Sequence, residues 1–334
     1  MTSTSTRSTS TRSSEAGDRG ASPGAEEPRV VSLIASATEI VCALGLGHRL
    51  VGISHECDHP PEVLDLPRLS APKVDPSLPG AAIDRSVREI VRDGLSVYSV
   101  RVDELERLRP DVIVTQDHCE VCAVSLSDVE DALCALDLPD TRVISLHPGD
   151  LADVRRDIAE VAAGLGVPER GAALLEDFDR RLAAVAERAA RAEPVRVALL
   201  EWLSPPMVAG GWMPELARIA DAIPLIVDEP GRFSQVDWAG VAAADPDVVV
   251  VLPCGFDVAR SLGELEDPAV AAGMRAIRAV AEGRCWVVDG NAYFNRPGPR
   301  LADSAELLAA LLHPGLFPGA LERWPGAAAR WTPS

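Results

Sequence analysis

Two cysteines, Cys119 and Cys122, stand close enough along the chain for their thiolates to bind one soft metal ion or to form a redox disulfide. Cys57 and Cys254 lie in two other polar segments, each of which directly follows an apolar run. The four thiols together would supply the ligand set that zinc or an iron–sulfur cluster prefers. The alternative is that they are small buried side chains that only pack loops, and the sequence leaves both interpretations open.

A histidine lies beside the first of these cysteines, in the segment His55-Glu56-Cys57-Asp58-His59. The neutral imidazole of His55 could ligate a metal, because histidine loses its proton close to neutral pH. The alternative is a solvated loop histidine that pairs with its acidic neighbours.

Large aromatic side chains follow apolar runs in the second half of the chain. They could form flat apolar walls for a large planar ligand, although about half of them are expected to belong to the core. These aromatic residues are Trp202, Trp212, Phe256, Tyr293 and Phe294.

Three polar residues are further candidates for ligand binding. Ser36 and Thr38 follow the first apolar run, and Arg296 opens the last predicted helix. At a helix start, backbone amides and a guanidinium can hold a carboxylate or phosphate group of a ligand. The alternative for Arg296 is an ion pair with one of the many acidic side chains of this chain.

The elements that must position these residues alternate between β and α along the chain. The first predicted strand ends at Ala35, and the sequence Ser36-Ala37-Thr38-Glu39 has the spacing of a capping box that would start a helix. The alternation predicts an α/β fold of two Rossmann-like lobes, each with a parallel sheet covered by helices. Strands are predicted over 29–35, 50–54, 97–98, 111–116, 142–146, 195–201, 248–252 and 285–289. Helices are predicted near 81–93, 102–108, 127–136, 214–221, 268–281 and 299–312.

Between the two alternating halves the pattern is helical only, with a break around Gly164–Pro168. This predicts a long helical connector between two lobes. The predicted division is a disordered polar leader over 1–28, a first lobe over 29–149, a connector over 150–193, a second lobe over 194–315 and an irregular tail over 316–334.

The candidate residues almost all come directly after predicted strands. Ligands of open parallel sheets bind outside the carboxyl ends of the strands. The sequence therefore predicts that these side chains meet in a ligand cleft between the two lobes.

The composition limits the classes of partner. A formal net charge of -19 repels phosphate backbones and anionic lipids, which argues against nucleic-acid binding and docking on a membrane surface. The apolar runs are strand-sized, which argues against insertion into a membrane. The first 28 residues contain no apolar run of the length that a secretory signal needs, and this predicts a cytoplasmic protein. The chain contains no Walker loop, no G-x-G-x-x-G, no H-E-x-x-H and no G-x-S-x-G motif.

Several segments resemble the class III periplasmic-binding-protein family, whose members bind vitamin B12 or iron siderophores for ABC importers. The resemblance is carried by RVVSLIASATEIVCALGLGHRLVG at 29–52, ERLRPDVIVT at 106–115, the helical stretch at 150–192, GGWMPELARIADA at 210–222, AADPDVVVVLP at 243–253 and RPGPRLADSAELLAALLHP at 296–314. The likeness is strongest to the cobalamin-binding subgroup, which implies a corrinoid held between lobes joined by a rigid helix. Its cobalt would then be the metal for His55.

The resemblance also implies a partner. In the family, one glutamate near the first helix and one in the second lobe dock the protein on its membrane permease, and by motif these fall on Glu39 and Glu215.

The leading prediction is a noncatalytic protein that binds cobalamin or a related metal chelate. The alternative is a cytoplasmic metal- or cluster-dependent enzyme in which the four cysteines hold the metal and His55, Glu56 or Asp117 supplies acid–base chemistry. A redox sensor built on Cys119 and Cys122 is a weaker third possibility.

Overall fold

The structure is a computed structural model, and it describes residues 27–93, 96–116, 126–136, 138–227 and 233–333. The predicted leader up to residue 26 and the pair Cys119 and Cys122 lie outside the described residues. Of the helices described, none combines the length and the apolar character that a membrane span requires.

The first lobe alternates strands and helices. Its elements are β1 (Val30–Ser32), α1 (Ala35–Ala43), β2 (Leu50–Ile53), β3 (Ser70–Pro72), α2 (Gly80–Arg92), β4 (Tyr98–Val100), α3 (Val102–Leu108), β5 (Val112–Gln116), α4 (Leu126–Ala135) and β6 (Arg142–Leu146). Four of the strands form a parallel sheet in the order β2-β1-β5-β6, and β3 pairs with β4 in a separate antiparallel ribbon. The central strands β1 and β5 are buried throughout, as expected for a sheet covered on both faces.

The first helix begins two residues earlier than the capping-box prediction requires, because that prediction makes Ser36 the N-cap residue. The residue before α1 is Ile34, and no side chain caps the helix. Ser36 and Glu39 lie inside the helix, so the capping box is wrong. The carboxylate of Glu39 instead accepts hydrogen bonds from Arg296 and Arg300 of the second lobe, which removes it from the helix start.

Two helices, α5 (Leu151–Gly164) and α6 (Pro168–Ala189), connect the lobes. The turn between them uses Gly166, whose φ of +78° favours glycine, and Pro168 at the start of α6. The helices approach closely at Gly171, where an added Cβ would lie only 2.4 Å from the Cβ of Ala162. The absence of a side chain at this position therefore sets the spacing of the connector.

The second lobe is built around a larger sheet. Its elements are β7 (Val195–Leu203), β8 (Pro206–Val208), α7 (Met213–Ile219), β9 (Ala222–Pro224), β10 (Ser234–Gln235), α8 (Trp238–Ala243), β11 (Val248–Val251), α9 (Val258–Leu265), α10 (Pro268–Arg275), α11 (Arg278–Ala281), β12 (Cys285–Val288), α12 (Leu301–Leu312) and β13 (Ala328–Arg330). The strand order is β10-β8-β7-β11-β12-β13, and β9 also pairs with β7. The core strands β7, β11 and β12 are parallel, whereas β8, β10 and β13 are antiparallel additions, so this sheet is mixed and not purely parallel as predicted.

The segment predicted as an irregular tail has a structural role. Its strand β13 pairs with the edge strand β12, and Trp324 and Trp331 are both buried. The antiparallel strand covers an edge that would otherwise expose unpaired backbone groups.

One hydrophobic cluster runs through the molecule. It includes residues of β1 and α1 in the first lobe, of α5 and α6 in the connector, and of β7, α7 and α12 in the second lobe. The connector is thus packed into a core shared by both lobes, which limits how far the lobes can move apart.

Candidate functional site

A cavity of about 510 Å³ lies between the lobes, within the size range of small-molecule sites. Its walls come from the carboxyl ends of β1, β2 and β5 in the first lobe and from β7 and the segments after β11 and β12 in the second. Apolar side chains supply most of the lining, and a few polar groups converge among them. The predicted cleft is therefore present at the expected edge of both sheets.

The second lobe contributes an aromatic wall. Trp202 and Phe256 pack with ring centroids 5.1 Å apart and planes tilted by 44°. Trp212 is anchored because its Nε1 donates to the carbonyl of Phe294 at 2.8 Å. The guanidinium of Arg260 lies 4.8 Å from the centre of the Phe256 ring, a cation–π contact that also holds this ring.

His55 stands on the first-lobe wall in a defined orientation. Its Nδ1 lies 2.7 Å from Ser70 Oγ, and its ring centroid is 5.1 Å from that of Tyr98. Because the Ser70 hydroxyl donates its hydrogen bond to Ser54 Oγ at 3.1 Å, its oxygen accepts from His55 Nδ1–H. The proton is then on Nδ1, and the lone pair is on Nε2.

The imidazole of His55 is held neutral. Burial, and then the positive charge of Arg68, lower the pKa of His55 to about 4. At neutral pH the Nε2 lone pair is therefore unprotonated, which is the form that binds a metal.

Glu56 is the acidic neighbour of this imidazole, with Oε1 3.8 Å from His55 Nε2. Burial raises the pKa of Glu56, and a hydrogen bond from the Tyr98 hydroxyl to Oε1 at 3.2 Å partly offsets this effect. The side chain keeps 39% exposure because it faces the cavity.

Two further polar side chains of the first lobe reach the cavity. Ser36 and Gln116 are both almost fully buried and both line it. Ser36 Oγ has no hydrogen-bond partner among the residues that the structure describes. A polar atom buried without a partner is costly, so this hydroxyl is available for a polar group of a ligand.

Arg296 joins the two lobes at one side of the cavity and is only 5% exposed. Its Nη1 donates to Glu39 Oε1 at 3.3 Å and also to Asp58 Oδ1. Its Nη2 donates to Asp58 Oδ2 at 2.8 Å and to the Glu56 carbonyl and Asn291 Oδ1, both at 3.1 Å. Both terminal nitrogens are thus engaged within the protein, so the predicted role in holding a ligand carboxylate or phosphate does not fit this arrangement.

The carboxylates around Arg296 form a network with a second guanidinium. Arg300 donates to Glu39 Oε2 at 2.8 Å and to Glu39 Oε1 at 2.5 Å. Burial alone would raise the pKa of Asp58, but the hydrogen bonds from Arg296 and Asn291, together with the positive charges of Arg296 and Arg300, outweigh burial and lower it. We call this group of Glu39, Asp58, Arg296 and Arg300 the interlobe network.

A second set of contacts joins the lobes at the start of α2. Glu264 Oε2 accepts from the backbone N–H of Gly80 at 2.9 Å. Arg260 donates to the carbonyl of Ser77 at 3.2 Å and to that of Leu78.

Among the residues predicted from the sequence, the cavity brings together Ser36, His55, Trp202, Trp212, Cys254, Phe256 and Arg296. Three predicted ligand-binding residues lie elsewhere. Thr38 is completely buried, with its hydroxyl 2.8 Å from Ser32 Oγ, and Phe294 is completely buried in the core. Tyr293 packs against the core with Arg300 over its ring. The position after a strand predicts the correct edge of the sheet, but not whether a side chain faces the cavity or the core.

The four predicted metal ligands do not form a site in the described part of the chain. Cys57 is 1% exposed, packs in the core and lies 3.0 Å from Thr38 Oγ1, whereas Cys254 lines the cavity. Burial raises the pKa of the Cys57 thiol to about 11, so the thiolate that a metal requires is disfavoured. The described residues contain no group of three or more side chains able to hold a metal ion.

The two predicted docking glutamates differ in exposure. Glu39 is 4% exposed and lies in the interlobe network, so it does not present a carboxylate to a partner in this conformation. Glu215 is half-buried, and one carboxylate oxygen accepts from the N–H of Leu151 at 2.8 Å.

Comparison with known proteins resolves the family. The family model described as periplasmic binding protein matches residues 30–289. The chain belongs to this family. The predicted α/β class of two lobes with a cleft is confirmed by its solved structural neighbours.

Relatives of this periplasmic binding protein are distant but span most of its length. The vitamin B12-binding protein of Vibrio cholerae is 22% identical over 293 residues, covering 85% of this chain and 88% of that protein. An uncharacterised ABC transporter substrate-binding lipoprotein of Bacillus subtilis is 24% identical over 299 residues, covering 87% of this chain and 82% of that protein.

Solved structures show the same fold. A periplasmic heme-binding protein from Pseudomonas aeruginosa superimposes with a TM-score of 0.65 at 23% identity, covering 86% of this chain and 93% of that chain. The periplasmic vitamin B12-binding protein BtuF of Vibrio cholerae gives a TM-score of 0.61 at 20% identity, covering 85% and 96%.

These findings decide between the predicted functions. The relatives are solute-binding proteins, which confirms the prediction of a noncatalytic protein and gives the enzyme alternative no support. None of these relatives is named for zinc or an iron–sulfur cluster. The predicted cytoplasmic location is wrong, because the matching family is described as periplasmic and one relative is a lipoprotein. The composition of the first 28 residues is no guide to location in this chain.

Sequence reasoning missed several cavity residues. Ile83, Val87, Tyr98 and Arg260 all line the cavity. The spacing of Ile83 and Val87 within the predicted helix over 81–93 was an available signal, since residues four apart share one helix face.

Proposed function

We propose that this chain is the substrate-binding protein of an ABC importer and that its cargo is a corrinoid such as cobalamin, delivered to a membrane permease. The vitamin B12-binding relatives and the lipoprotein relative support the class of function. The cavity itself supports the class of cargo.

The single observation that carries the proposal is the geometry of His55. Ser70 Oγ accepts a hydrogen bond from Nδ1–H, so the unprotonated Nε2 is available to a metal centre that enters the cavity. The pKa near 4 keeps this nitrogen free of a proton throughout the neutral range. A corrinoid can present one axial face of its cobalt to such an imidazole.

The aromatic wall across the cavity suits the flat apolar body of a macrocycle. Trp202 and Phe256 are fixed by their mutual packing, and Trp212 by its hydrogen bond to the Phe294 carbonyl. Rigid aromatic side chains bury a large area at a small cost in conformational entropy.

The charges of the cavity favour a corrinoid over heme. Heme carries carboxylates that require cations, whereas the amide groups at the rim of cobalamin are neutral. The terminal nitrogens of the guanidiniums at this cavity, Arg260 and Arg296, are engaged in contacts with the protein, and Asp58, whose pKa is lowered, adds negative charge. Electrostatic repulsion would therefore weaken the binding of an anionic chelate such as heme, whereas the neutral amide groups of a corrinoid would not be repelled.

Titration with hydroxocobalamin tests the proposal. We expect tight binding with a shift of the visible spectrum as His55 Nε2 replaces the exchangeable axial ligand of cobalt. His55→Ala is expected to abolish the shift and weaken binding at least tenfold, whereas His59→Ala, which alters a histidine outside the cavity lining, is expected to retain both.

A parallel titration with hemin tests the alternative cargo. Tight binding of hemin together with no binding of hydroxocobalamin would overturn the corrinoid proposal. Unchanged spectra and affinity in His55→Ala would show that the imidazole is not the axial ligand.

A further inference from the structure

Helix α2 differs from the other helices of the first lobe because its apolar side chains do not pack into a hydrophobic core of the described residues. Gly80 is its only fully buried residue. Its apolar side chains do not belong to any of the hydrophobic clusters found in the described part of the chain. An amphipathic helix normally gains most of its stability by burying its apolar face, and among the residues that the structure describes the face of α2 has no such hydrophobic cluster to pack on.

The apolar face of α2 lies over the cavity. Ile83 and Val87 are one helical turn apart and both line the cavity, as do Val74 and Pro76 from the segment that leads into the helix. The face that belongs to no hydrophobic cluster of the described residues therefore covers the space in which the cargo is proposed to lie.

Polar contacts hold α2 to the opposite lobe. Glu264 accepts from the N–H of Gly80 at 2.9 Å and places a negative charge at the start of the helix, which the helix dipole favours. Glu264 also pairs with Arg260 at 3.0 Å, and Arg260 donates to the carbonyls just before the helix. Near the other end of the helix, Arg88 donates to Gln235 Oε1 at 3.0 Å.

These contacts differ in kind from the packing of the other helices. Opening α2 breaks a few hydrogen bonds between lobes and disrupts no described hydrophobic cluster. Elements with few buried apolar contacts are the ones that open locally at low cost.

We infer that α2 is a lid: it closes over the cargo, contacts it through Ile83 and Val87, and is latched to the second lobe by Glu264 and Arg260. The identity of the cargo rests on the proposed function above, but the lid does not. A bound macrocycle supplies the apolar partner that the helix lacks, so cargo and latch hold the lid closed together.

Hydrogen exchange of the cargo-free protein tests the lid without any ligand. We expect the amides of α2 to exchange faster than those of α1 and α5. Glu264→Gln removes a charged acceptor and is expected to speed exchange in α2 by about tenfold. The matched control is Glu266→Gln, an exposed glutamate two residues away, which is expected to leave α2 unchanged.

Dissociation of hydroxocobalamin tests the contact with the cargo. Val87→Asp places a charge on the face over the cavity and is expected to speed dissociation at least tenfold. Ser86→Asp adds the same charge at the next residue, outside the cavity lining, and is expected to leave the rate unchanged.

The outcomes separate the two proposals. Exchange in α2 as slow as in α1 and α5, and insensitive to Glu264→Gln, would overturn the lid whatever the cargo is. Unchanged dissociation in Val87→Asp would overturn the contact with the cargo. Rapid exchange in α2 with no binding of hydroxocobalamin by the unaltered protein would support the lid and overturn the corrinoid proposal.

Discussion

At the scale of single residues, the function proposed for this cavity depends on which nitrogen of His55 carries the proton. Ser70 determines this, because its hydroxyl donates a hydrogen bond to Ser54 Oγ and accepts one from His55 Nδ1–H. The metal-binding nitrogen is thus prepared by a residue that does not reach the cargo itself.

Ser70→Ala tests this positioning role. Removing the acceptor leaves the imidazole free to rotate and change tautomer, and we expect hydroxocobalamin to bind about 10- to 100-fold more weakly in a spectroscopic titration. Ser99→Ala is the control, since Ser99 lies on the same ribbon and its hydroxyl donates to the Ala71 carbonyl, not to His55. Equal affinities of the two variants would show that Ser70 does not orient the ligand.

A second residue controls the dependence of stability on pH. Asp157 of α5 is 1% exposed, and one oxygen accepts from the N–H of His147 at 3.1 Å. Burial raises its pKa to about 6, and the hydrogen bond from His147 only partly offsets this. The folded protein therefore holds a proton that the unfolded chain has lost, and stability falls as pH rises from about 4 to about 6.

Asp157→Asn should remove this loss. At pH 8 we expect the free energy of unfolding, measured by urea denaturation, to be higher in the variant than in the parent by up to about 3 kcal/mol. At pH 4 we expect little difference between the two proteins. Glu176→Gln, an exposed carboxylate of α6, should show no such pH-dependent gain. A gain equal at both pH values would mean that the charge of Asp157 is not the cause.

At the scale of elements, the distance between the connector helices depends on one glycine. An added Cβ at Gly171 would collide with Ala162 of the neighbouring helix, whereas one at Gly263 of α9 would meet nothing within 4 Å. The same substitution should therefore have opposite effects at the two positions.

Gly171→Ala is expected to destabilise the protein by about 1–3 kcal/mol through overpacking. Gly263→Ala is expected to stabilise it by about 0.5–1 kcal/mol, because alanine favours the helix and nothing opposes its methyl group. Urea denaturation measures both. Destabilisation by both variants to the same extent would contradict the packing argument.

The elements that the sequence predicted are those with a strong pattern. Apolar runs such as 112–116 and 248–251 gave strands at nearly the observed bounds, and the connector showed helical spacing throughout. Short additions such as β8, β10 and β13 have only two or three residues and no periodicity, so nothing local distinguishes them from loops. Helix α9 was missed as well, although Asp257 caps it.

The residues of the candidate site could be predicted from the sequence only where the topology of the sheet determines their position. The rule of strand ends found His55, Trp202 and Phe256, because it depends only on topology. It could not separate Cys57 from Cys254, since one turns into the core and the other into the cavity. Nor could it find α2 as a wall, because that depends on contacts between residues 180 positions or more apart, such as Gly80 and Glu264.

At the scale of the whole molecule, buried charges hold the lobes together. Removing one partner of a buried ion pair leaves the other charged and unpaired, which commonly costs about 3–5 kcal/mol. Arg296 is more deeply buried than Arg300, so its loss should be the more damaging.

A double-mutant cycle measures this contribution. Arg296→Gln is expected to lower the free energy of unfolding by about 3–5 kcal/mol, and the addition of Glu39→Gln should recover part of the loss. Arg92→Gln, which breaks an exposed pair with Asp93, should cost no more than about 1 kcal/mol. Additive effects of Arg296→Gln and Glu39→Gln would indicate that the two side chains do not interact.

The tryptophans are distributed unevenly between the two lobes, so tryptophan fluorescence reports on one lobe only. All tryptophans of the chain lie in its second half, at Trp202, Trp212, Trp238, Trp286, Trp324 and Trp331. Indole emission therefore comes from the second lobe alone, while α2 and the rest of the first lobe emit none. Since two of these indoles line the cavity, a coloured cargo would quench them, and their recovery would record its departure in real time without an added label.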